Sequence, residues 1–204
     1  MFRYDKKIDN WSNKMTAGLT KIWGHKIQKI QKDSNFNTLQ LLNEYLNEYF
    51  NKYGKIIFTR FNNLTGLSYQ VKDLGYYVNN TNFSLHNSQN SYISIGKNHT
   101  FNSYPTVIIH EISHIYFYKY INSERFLKYN KILKTSDLLS DRERNELKEI
   151  ITVIINEEFA DIINTQDQGY PSHQKIRSQI IKLWGKDKDF DKWISKVIKI
   201  YKKG

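Results

Sequence analysis

The 204-residue sequence predicts an α+β fold in which helices surround one small sheet. Apolar residues recur at helical spacing towards both ends of the chain. Short segments rich in β-branched and aromatic residues, separated by Asn and Gly, occupy the middle. The fraction of hydrophobic residues is 39%, which is sufficient for a folded core. We expect a single domain over 1–204, made of an N-terminal helical extension (1–53), a central core (55–165) and C-terminal helices (170–204).

Two helices are expected before residue 54. Apolar spacing predicts a basic amphipathic helix over 8–32 and a second helix near Asn37–Asn51, and Gly54 is expected to end this helical region. A basic amphipathic helix can lie on a membrane surface or on a partner, although packing on its own domain is the more common outcome.

Three or four strands are expected next. The segments "KIIFTRF", "LSYQVKDLGYYV", "NFSL" and "SYISIG" are short and are punctuated by turn-forming residues. Tight turns between successive segments favour a meander.

Helices are expected again from Pro105, which is well tolerated in a first helical turn, to about Ile121. Ser140 and Glu143 have the spacing of a capping box, so a buried helix is expected over 141–165. The segment "QGYP" at 168–171 is expected to follow its end, and two more helices are expected around 172–184 and 188–202.

Charge and composition narrow the classes of function. Lys and Arg number 31 against 20 Asp and Glu, giving a net charge of +11 that could support weak contact with nucleic acid or an anionic membrane surface. Cys is absent, so a metal site built on thiolates is excluded. No apolar run is long enough for a transmembrane segment, and the N-terminus lacks the apolar region of a signal peptide, so a cytoplasmic location is expected.

The segment "PTVIIHEISHIYF" at 105–117 places titratable side chains in the most apolar part of the chain. His110 and His114 are four residues apart, so both imidazoles project from one helix face. Glu111 lies about 100° around the helix, too far to be a third ligand easily but near enough to reach a metal-bound water. This "HExxH" pattern predicts a catalytic metal ion, with zinc (Zn2+) the expected cofactor. The alternative is a structural helical protein whose histidines are simply buried.

A catalytic zinc ion needs a third protein ligand, and the sequence leaves more than one choice open. The segment "NEEFAD" at 156–161 places Glu157 and Asp161 on one face of an apolar helix, so Glu157 is the first choice and Glu158 the second. His173 is the histidine available downstream of the motif. Asp161 could accept the second N–H of a ligating histidine and fix its orientation.

These motifs together resemble those of the gluzincin zinc metallopeptidases, in particular small soluble "minigluzincin"-like members. Their pattern is "HExxH" followed by "NExxxD" or "ExxAD" on a later helix, and residues 55–165 carry the resemblance. The resemblance implies a zincin-like fold and hydrolysis of peptide bonds in a peptide or protein substrate. It also implies that His110, His114 and Glu157 are the zinc ligands and that Glu111 is the general base and acid. Asp161 would accept a hydrogen bond from a ligating histidine. The linker 122–140 is longer than in compact relatives and is expected to form a loop or an extra helix.

Position in the sequence suggests further candidate site residues. Tyr170 and His173 could donate a hydrogen bond to an oxyanion. A strand of Ser91, Tyr92, Ile93, Ser94, Ile95 and Gly96 could pair with an extended peptide. His25, His86 and His99 are expected to be ordinary surface residues.

Two other functions compete with the peptidase. One is a latent or non-proteolytic zinc-binding protein, with the N-terminal or C-terminal helices plugging the cleft. The other is a DNA-associated protease similar to the SprT-like class, although that class would place a histidine soon after the motif helix, where "INSERF" has none.

Overall fold

The computed structural model describes residues 36–68, 75–79, 84–87, 92–96, 99–132, 139–186 and 188–203. The helix predicted over 8–32 lies outside these residues. Helix α1 is followed by three strands and then by helices α2 to α7. Their bounds are α1 Phe36–Thr65, β1 Gly75–Asn79, β2 Leu85–Asn87, β3 Tyr92–Gly96, α2 Tyr104–Ile121, α3 Glu124–Ile132, α4 Asp141–Ile151, α5 Ile155–Glu158, α6 Gln174–Trp184 and α7 Phe190–Tyr201.

Helix α1 corrects two expectations, because it runs straight through Gly54 and includes the segment predicted as the strand "KIIFTRF". Leu46, Ile57 and Phe61 are buried at helical spacing on its inner face. A glycine inside a helix costs only about 1 kcal/mol relative to alanine, which burial of two further side chains offsets. The boundary predicted between an N-terminal extension and the core therefore falls inside a single helix.

The sheet has three strands in the order β1-β3-β2. β3 pairs in parallel with β1 and antiparallel with β2, which places Ile93 opposite His86. The expected meander is therefore wrong, since β1 and β2 are not neighbours. β3 is the central strand, so the part of the sheet that the structure describes has β1 and β2 at its edges.

Helix α2 lies at the centre of the molecule, with 14 of its 18 residues buried. Its first half packs in one hydrophobic core with α1 and β3, whereas its last turns, including Phe117 and Tyr120, pack in a second core with α4, α6 and α7. Polar side chains on α2 are consequently enclosed by protein on most sides.

Helix α4 begins with the predicted capping box, in which Ser140 and Glu143 bond reciprocally. The long helix expected over 141–165 is wrong, because α4 ends at Ile151 and a 3-10 turn over Thr152–Ile154 separates it from α5. A 3-10 turn advances about 120° per residue instead of about 100°, so it changes the direction of every later side chain.

The other helices agree with expectation. The linker after α2 contains the additional helix α3, and α6 and α7 occupy the two C-terminal helical segments. Both C-terminal helices contribute large side chains, including Trp184 and Trp193, to the second core. Among the described residues no helix is both long enough and apolar enough to cross a membrane.

Candidate metal centre

Two imidazoles of α2 face one another as the motif spacing predicts. His110 and His114 have ring centroids 4.5 Å apart, with the rings nearly perpendicular. The His114 side chain is only 2% exposed and that of His110 is 16% exposed. Both rings lie in the enclosed region between α2 and the helices that follow it.

The carboxylate that meets these imidazoles belongs to Glu149, in the last turn of α4. Glu149 Oε2 lies 3.3 Å from His110 Nε2 and 3.6 Å from His114 Nε2. One ligand atom from each of the three residues lies within 4.8 Å of the others, a spacing that a single metal ion can bridge. Ligands of a tetrahedral zinc ion are about 3.4 Å apart.

Glu157 was the predicted third ligand, and the structure corrects this. Its side chain is exposed on α5 and belongs to neither group of potential metal ligands among the described residues. The 3-10 turn between α4 and α5 turns the later carboxylates away from α2. Glu158 is occupied elsewhere, because it accepts a hydrogen bond from Trp184 Nε1 at 2.7 Å and pairs with Lys188 at 3.0 Å.

The carboxylate behind a ligating histidine is Asp167, and the prediction of Asp161 is wrong. Asp167 Oδ1 lies 3.1 Å from His110 Nδ1, on the side of the ring opposite Glu149. Asp161 instead forms a bidentate, solvent-exposed pair with Arg60 of α1. An acceptor at Nδ1 fixes the orientation of the ring and leaves Nε2 for a metal.

Asp167 is itself fixed by buried neighbours. Arg177 of α6 donates to Asp167 Oδ2 at 2.9 Å and to its carbonyl oxygen at 2.8 Å. The side chain of Asn156 bonds both the backbone N–H and the carbonyl oxygen of Asp167. Gly169 has φ 60°, and a Cβ at this position would lie 2.7 Å from the Arg177 guanidinium, so the close packing of this loop requires glycine.

Glu111 is buried on the other side of His114. Its Oε2 lies 2.9 Å from His86 Nδ1 and 3.3 Å from His114 Nδ1. His86 comes from edge strand β2, so the expectation that it is an ordinary surface residue is wrong. A carboxylate approached by two imidazoles is held in one orientation.

The charges of this centre complement one another. Burial lowers the pKa of His110, but hydrogen bonds to Asp167 and Glu149 outweigh burial and raise that pKa to about 10. Burial lowers the pKa of His114 to about 4, so its ring is neutral at pH 7. Burial raises the pKa of Glu149, yet the hydrogen bond to His110 and attraction to nearby cationic side chains together outweigh burial and bring that pKa to about 2. His114 and Glu149 are therefore in the forms that bind metal, whereas His110 would have to release its Nε2 proton to a bound cation.

The strongest sign that a ligand belongs here is a single nitrogen atom. His114 Nε2 is buried and has no hydrogen-bond partner, although it points towards His110 and Glu149. A buried polar atom without a partner costs about 1–3 kcal/mol. A divalent cation bound by this nitrogen would remove that cost. Two imidazoles and one carboxylate are a donor set that fits zinc.

The remaining predicted residues are only partly brought to this centre. The negative charge of Glu149 raises the pKa of Tyr170, so this side chain lies within electrostatic range of the site, and the residue is 56% exposed. His173 contacts the Tyr170 ring edge-on at 5.6 Å, and it belongs to neither group of potential ligands.

Tyr92–Gly96 forms β3, which is paired on both sides, so the expectation of a substrate-pairing edge strand there is wrong. Ser91 lies outside the described residues.

The sequence offered little to identify Glu149, Asp167 and His86. Seven carboxylates lie between residues 141 and 161, and their spacing alone does not rank them. Asp167 follows the last helical turn of that region, and His86 lies in a three-residue strand.

Comparison with protein-family models, curated proteins and solved structures yields no match to this chain. The geometry of the centre is therefore the basis for any functional assignment.

Proposed function

We propose that this protein is a zinc-dependent metallopeptidase with a zincin-like catalytic core. His110, His114 and Glu149 would hold the zinc ion, and Glu111 would act as general base and then as general acid. The observation that carries the proposal is the partnerless, buried His114 Nε2, which faces a second imidazole and an ionised carboxylate.

The roles of the chain's own residues follow from their surroundings. A zinc ion, when bound, lowers the pKa of a water ligand to about 7 and polarises a substrate carbonyl. Burial raises the pKa of Glu111, but hydrogen bonds from His114 and His86 outweigh burial and hold that pKa well below its usual range, so this residue is ionised. The same hydrogen bonds make it a weak base, and Glu111 would have to turn from these imidazoles towards the water ligand to accept a proton. Glu111 would then deliver that proton to the leaving amine. Asp167 would keep the His110 ring oriented throughout.

A peptide or protein is the substrate class that suits these groups. Edge strand β2 could pair with an extended peptide beside Glu111, because its outer side has no partner strand among the described strands. The hydroxyl of Tyr170, an exposed residue, could donate to an oxyanion. Contact with nucleic acid or an anionic membrane has only the net charge of +11 in its support, so we regard it as secondary.

A matched pair of substitutions tests the ligand set. Glu149→Gln removes the anionic ligand, so we expect loss of peptide hydrolysis and weaker binding of zinc than in the wild-type protein. Glu157→Gln changes an exposed side chain on the neighbouring helix and is expected to leave both unchanged. Zinc content by elemental analysis and cleavage of an unstructured protein substrate are the measurements. Full activity in Glu149→Gln would exclude the proposed site.

Glu111→Gln separates zinc binding from chemistry. The substitution retains the shape of the side chain but removes the carboxylate base, so hydrolysis should fall by at least about 100-fold while zinc remains bound. Hydrolysis at the wild-type rate by Glu111→Gln would contradict the proposed mechanism.

A latent zinc protein is the second candidate, because Glu111 is held by two imidazoles. Residues 1–35 could restrict the cleft, and removing them would then raise the rate of hydrolysis. The C-terminal helices are not a removable plug, since Trp184 and Trp193 are buried in the second core. Zinc-loaded protein that remains inactive with and without residues 1–35 would favour a non-proteolytic role.

A further inference from the structure

A second group of potential metal ligands adjoins the first and shares one residue with it. His86, Glu111 and His114 offer ligand atoms within 4.8 Å of one another. Glu111 Oε2 lies 2.9 Å from His86 Nδ1 and 3.3 Å from His114 Nδ1, and the two Nδ1 atoms are 3.3 Å apart. All three residues are buried or nearly so, and two secondary-structure elements supply them.

These distances match the spacing that a single tetrahedral cation imposes on its ligands. With metal–nitrogen and metal–oxygen distances near 2.1 Å, neighbouring ligand atoms are about 3.4 Å apart. Two separations in this group are 3.3 Å, and the third is a few tenths of an ångström shorter. The group therefore needs only a small expansion to accept an ion.

We propose that His86, Glu111 and His114 form a second, alternative position for the divalent cation, and that an ion held there is inhibitory. His114 would use Nδ1 in this position, whereas it uses Nε2 in the catalytic position. The inhibitory character rests on the proposed function, because it follows from Glu111 being the general base.

The shared imidazole makes the two positions mutually exclusive. A neutral imidazole carries one proton, and the nitrogen that binds a metal must be the other one. With the ion at Nε2, the proton lies on Nδ1, where Glu111 Oε2 is available at 3.3 Å. With the ion at Nδ1, the proton would lie on Nε2, and Glu149 Oε2, now 3.6 Å away, would accept it after approaching by a few tenths of an ångström. Each position thus retains an acceptor for the displaced proton.

An ion in the second position would stop hydrolysis for two reasons. The Glu111 carboxylate would be a ligand and could no longer accept a proton from water. The ion would also lie on the β2 side of His114, away from Glu149. His86 would then decide between the two positions, since it contributes to the second one alone.

Metal binding by chelator-treated full-length protein tests the second position without any activity measurement. Glu149→Gln disables the catalytic position yet keeps an oxygen that can accept a proton from His114 Nε2. We expect this variant to bind one Co2+ or Zn2+ per chain in a chelator-competition titration. Adding His86→Asn to it should weaken that binding at least tenfold.

His99→Asn, also combined with Glu149→Gln, is the matched control. His99 is another partly buried histidine near the sheet, with Nε2 3.4 Å from Ser84 Oγ, but it belongs to neither group. Its replacement should leave the titration unchanged. If Glu149→Gln does not fold, as judged by circular dichroism and thermal melting, His110→Asn disables the catalytic position instead.

Two results would overturn the second position. One is that Glu149→Gln and His110→Asn, both folded, bind no metal. The other is that His86→Asn has no effect on the metal that they bind. Either result leaves the proposed peptidase intact. Conversely, absence of hydrolysis by zinc-loaded wild-type protein would overturn the peptidase without altering these titrations.

Discussion

Two Arg–Asp ion pairs in this protein have similar surroundings, but their aspartates bind different neighbours. Arg125 of α3 pairs with Asp191 of α7 at 2.6 Å, and Arg177 of α6 pairs with Asp167 at 2.9 Å. In each pair the guanidinium lies against a glycine with positive φ, where a Cβ would collide with it. The glycine that accommodates Arg125 is Gly66, which follows the end of α1.

The difference lies in what the aspartate binds next. Asp191 accepts a hydrogen bond of 2.6 Å from the Tyr120 hydroxyl, so this chain of contacts ends in a group that is fully satisfied. Asp167 leads to His110, and beyond it to the partnerless nitrogen of His114. A buried polar network that is complete stabilises a fold, whereas one that stops at an unsatisfied atom indicates a ligand.

The largest difference between the two pairs is expected on removal of the arginine. Arg177 is 3% exposed and also donates to Thr152 Oγ1 and to the carbonyl oxygen of Glu149. Arg177→Met should therefore lower the free energy of unfolding by about 3–5 kcal/mol, because a buried carboxylate loses its partner. Arg125 is 44% exposed, and Arg125→Met should cost only about 1 kcal/mol. Urea unfolding measures both, and equal losses would contradict the proposed asymmetry.

Substituting the aspartates should separate zinc affinity from stability. Asp167→Asn weakens the acceptor behind His110, so zinc affinity should fall about 10- to 100-fold. Asp191→Asn removes a comparable charge from a residue that belongs to neither group of potential metal ligands, and it should leave zinc affinity unchanged. Chelator competition provides the measurement. Similar zinc affinities in the two variants would show that Asp167 does not support the metal ligand.

The two glycines share one backbone cost but should differ in their effect on zinc binding. Alanine in a left-handed conformation costs about 1–2 kcal/mol, so Gly169→Ala and Gly66→Ala should each lower stability by at least that amount. Gly169→Ala should also reduce zinc affinity, since the added methyl group displaces Arg177 from Asp167. Thermal melting combined with zinc titration tests this, and a loss of zinc affinity in Gly66→Ala would contradict it.

The smallest effect is expected at Tyr120, whose hydroxyl donates to Asp191 of the Arg125–Asp191 pair. Tyr120→Phe removes one hydrogen bond and should cost about 1 kcal/mol at pH 7. Burial and the bond to Asp191 raise the pKa of Tyr120, so its contribution is present below pH 10 and is lost as pH rises further. The alkaline decline in wild-type stability should therefore be shallower in Tyr120→Phe. Parallel alkaline curves for the two proteins would rule out this contribution.

Local sequence patterns predicted the features that depend on a single element. His110, Glu111 and His114 are brought together by the spacing of one helix, and Ser140 begins α4 through a reciprocal cap with a residue three positions away. Each of these depends on contacts within about one helical turn, which sequence spacing determines.

The features that the sequence did not predict depend on tertiary packing. "KIIFTRF" suits a strand or a helix, and burial of Ile57 and Phe61 against the first core favours the helix. Glu149 replaces Glu157 because a 3-10 turn, for which the sequence carries no evident signal, changes the direction of later side chains. His86 reaches Glu111 only after β2 pairs with a strand that follows it in the chain.

The strand order has a consequence for biosynthesis. In the described sheet both β1 and β2 pair exclusively with β3, which is the last of the three to leave the ribosome. A nascent polypeptide that ends before Tyr92 therefore contains none of the sheet's ladder hydrogen bonds, and His86 has no fixed location in it. Emergence of five more residues supplies the template for both neighbours at once.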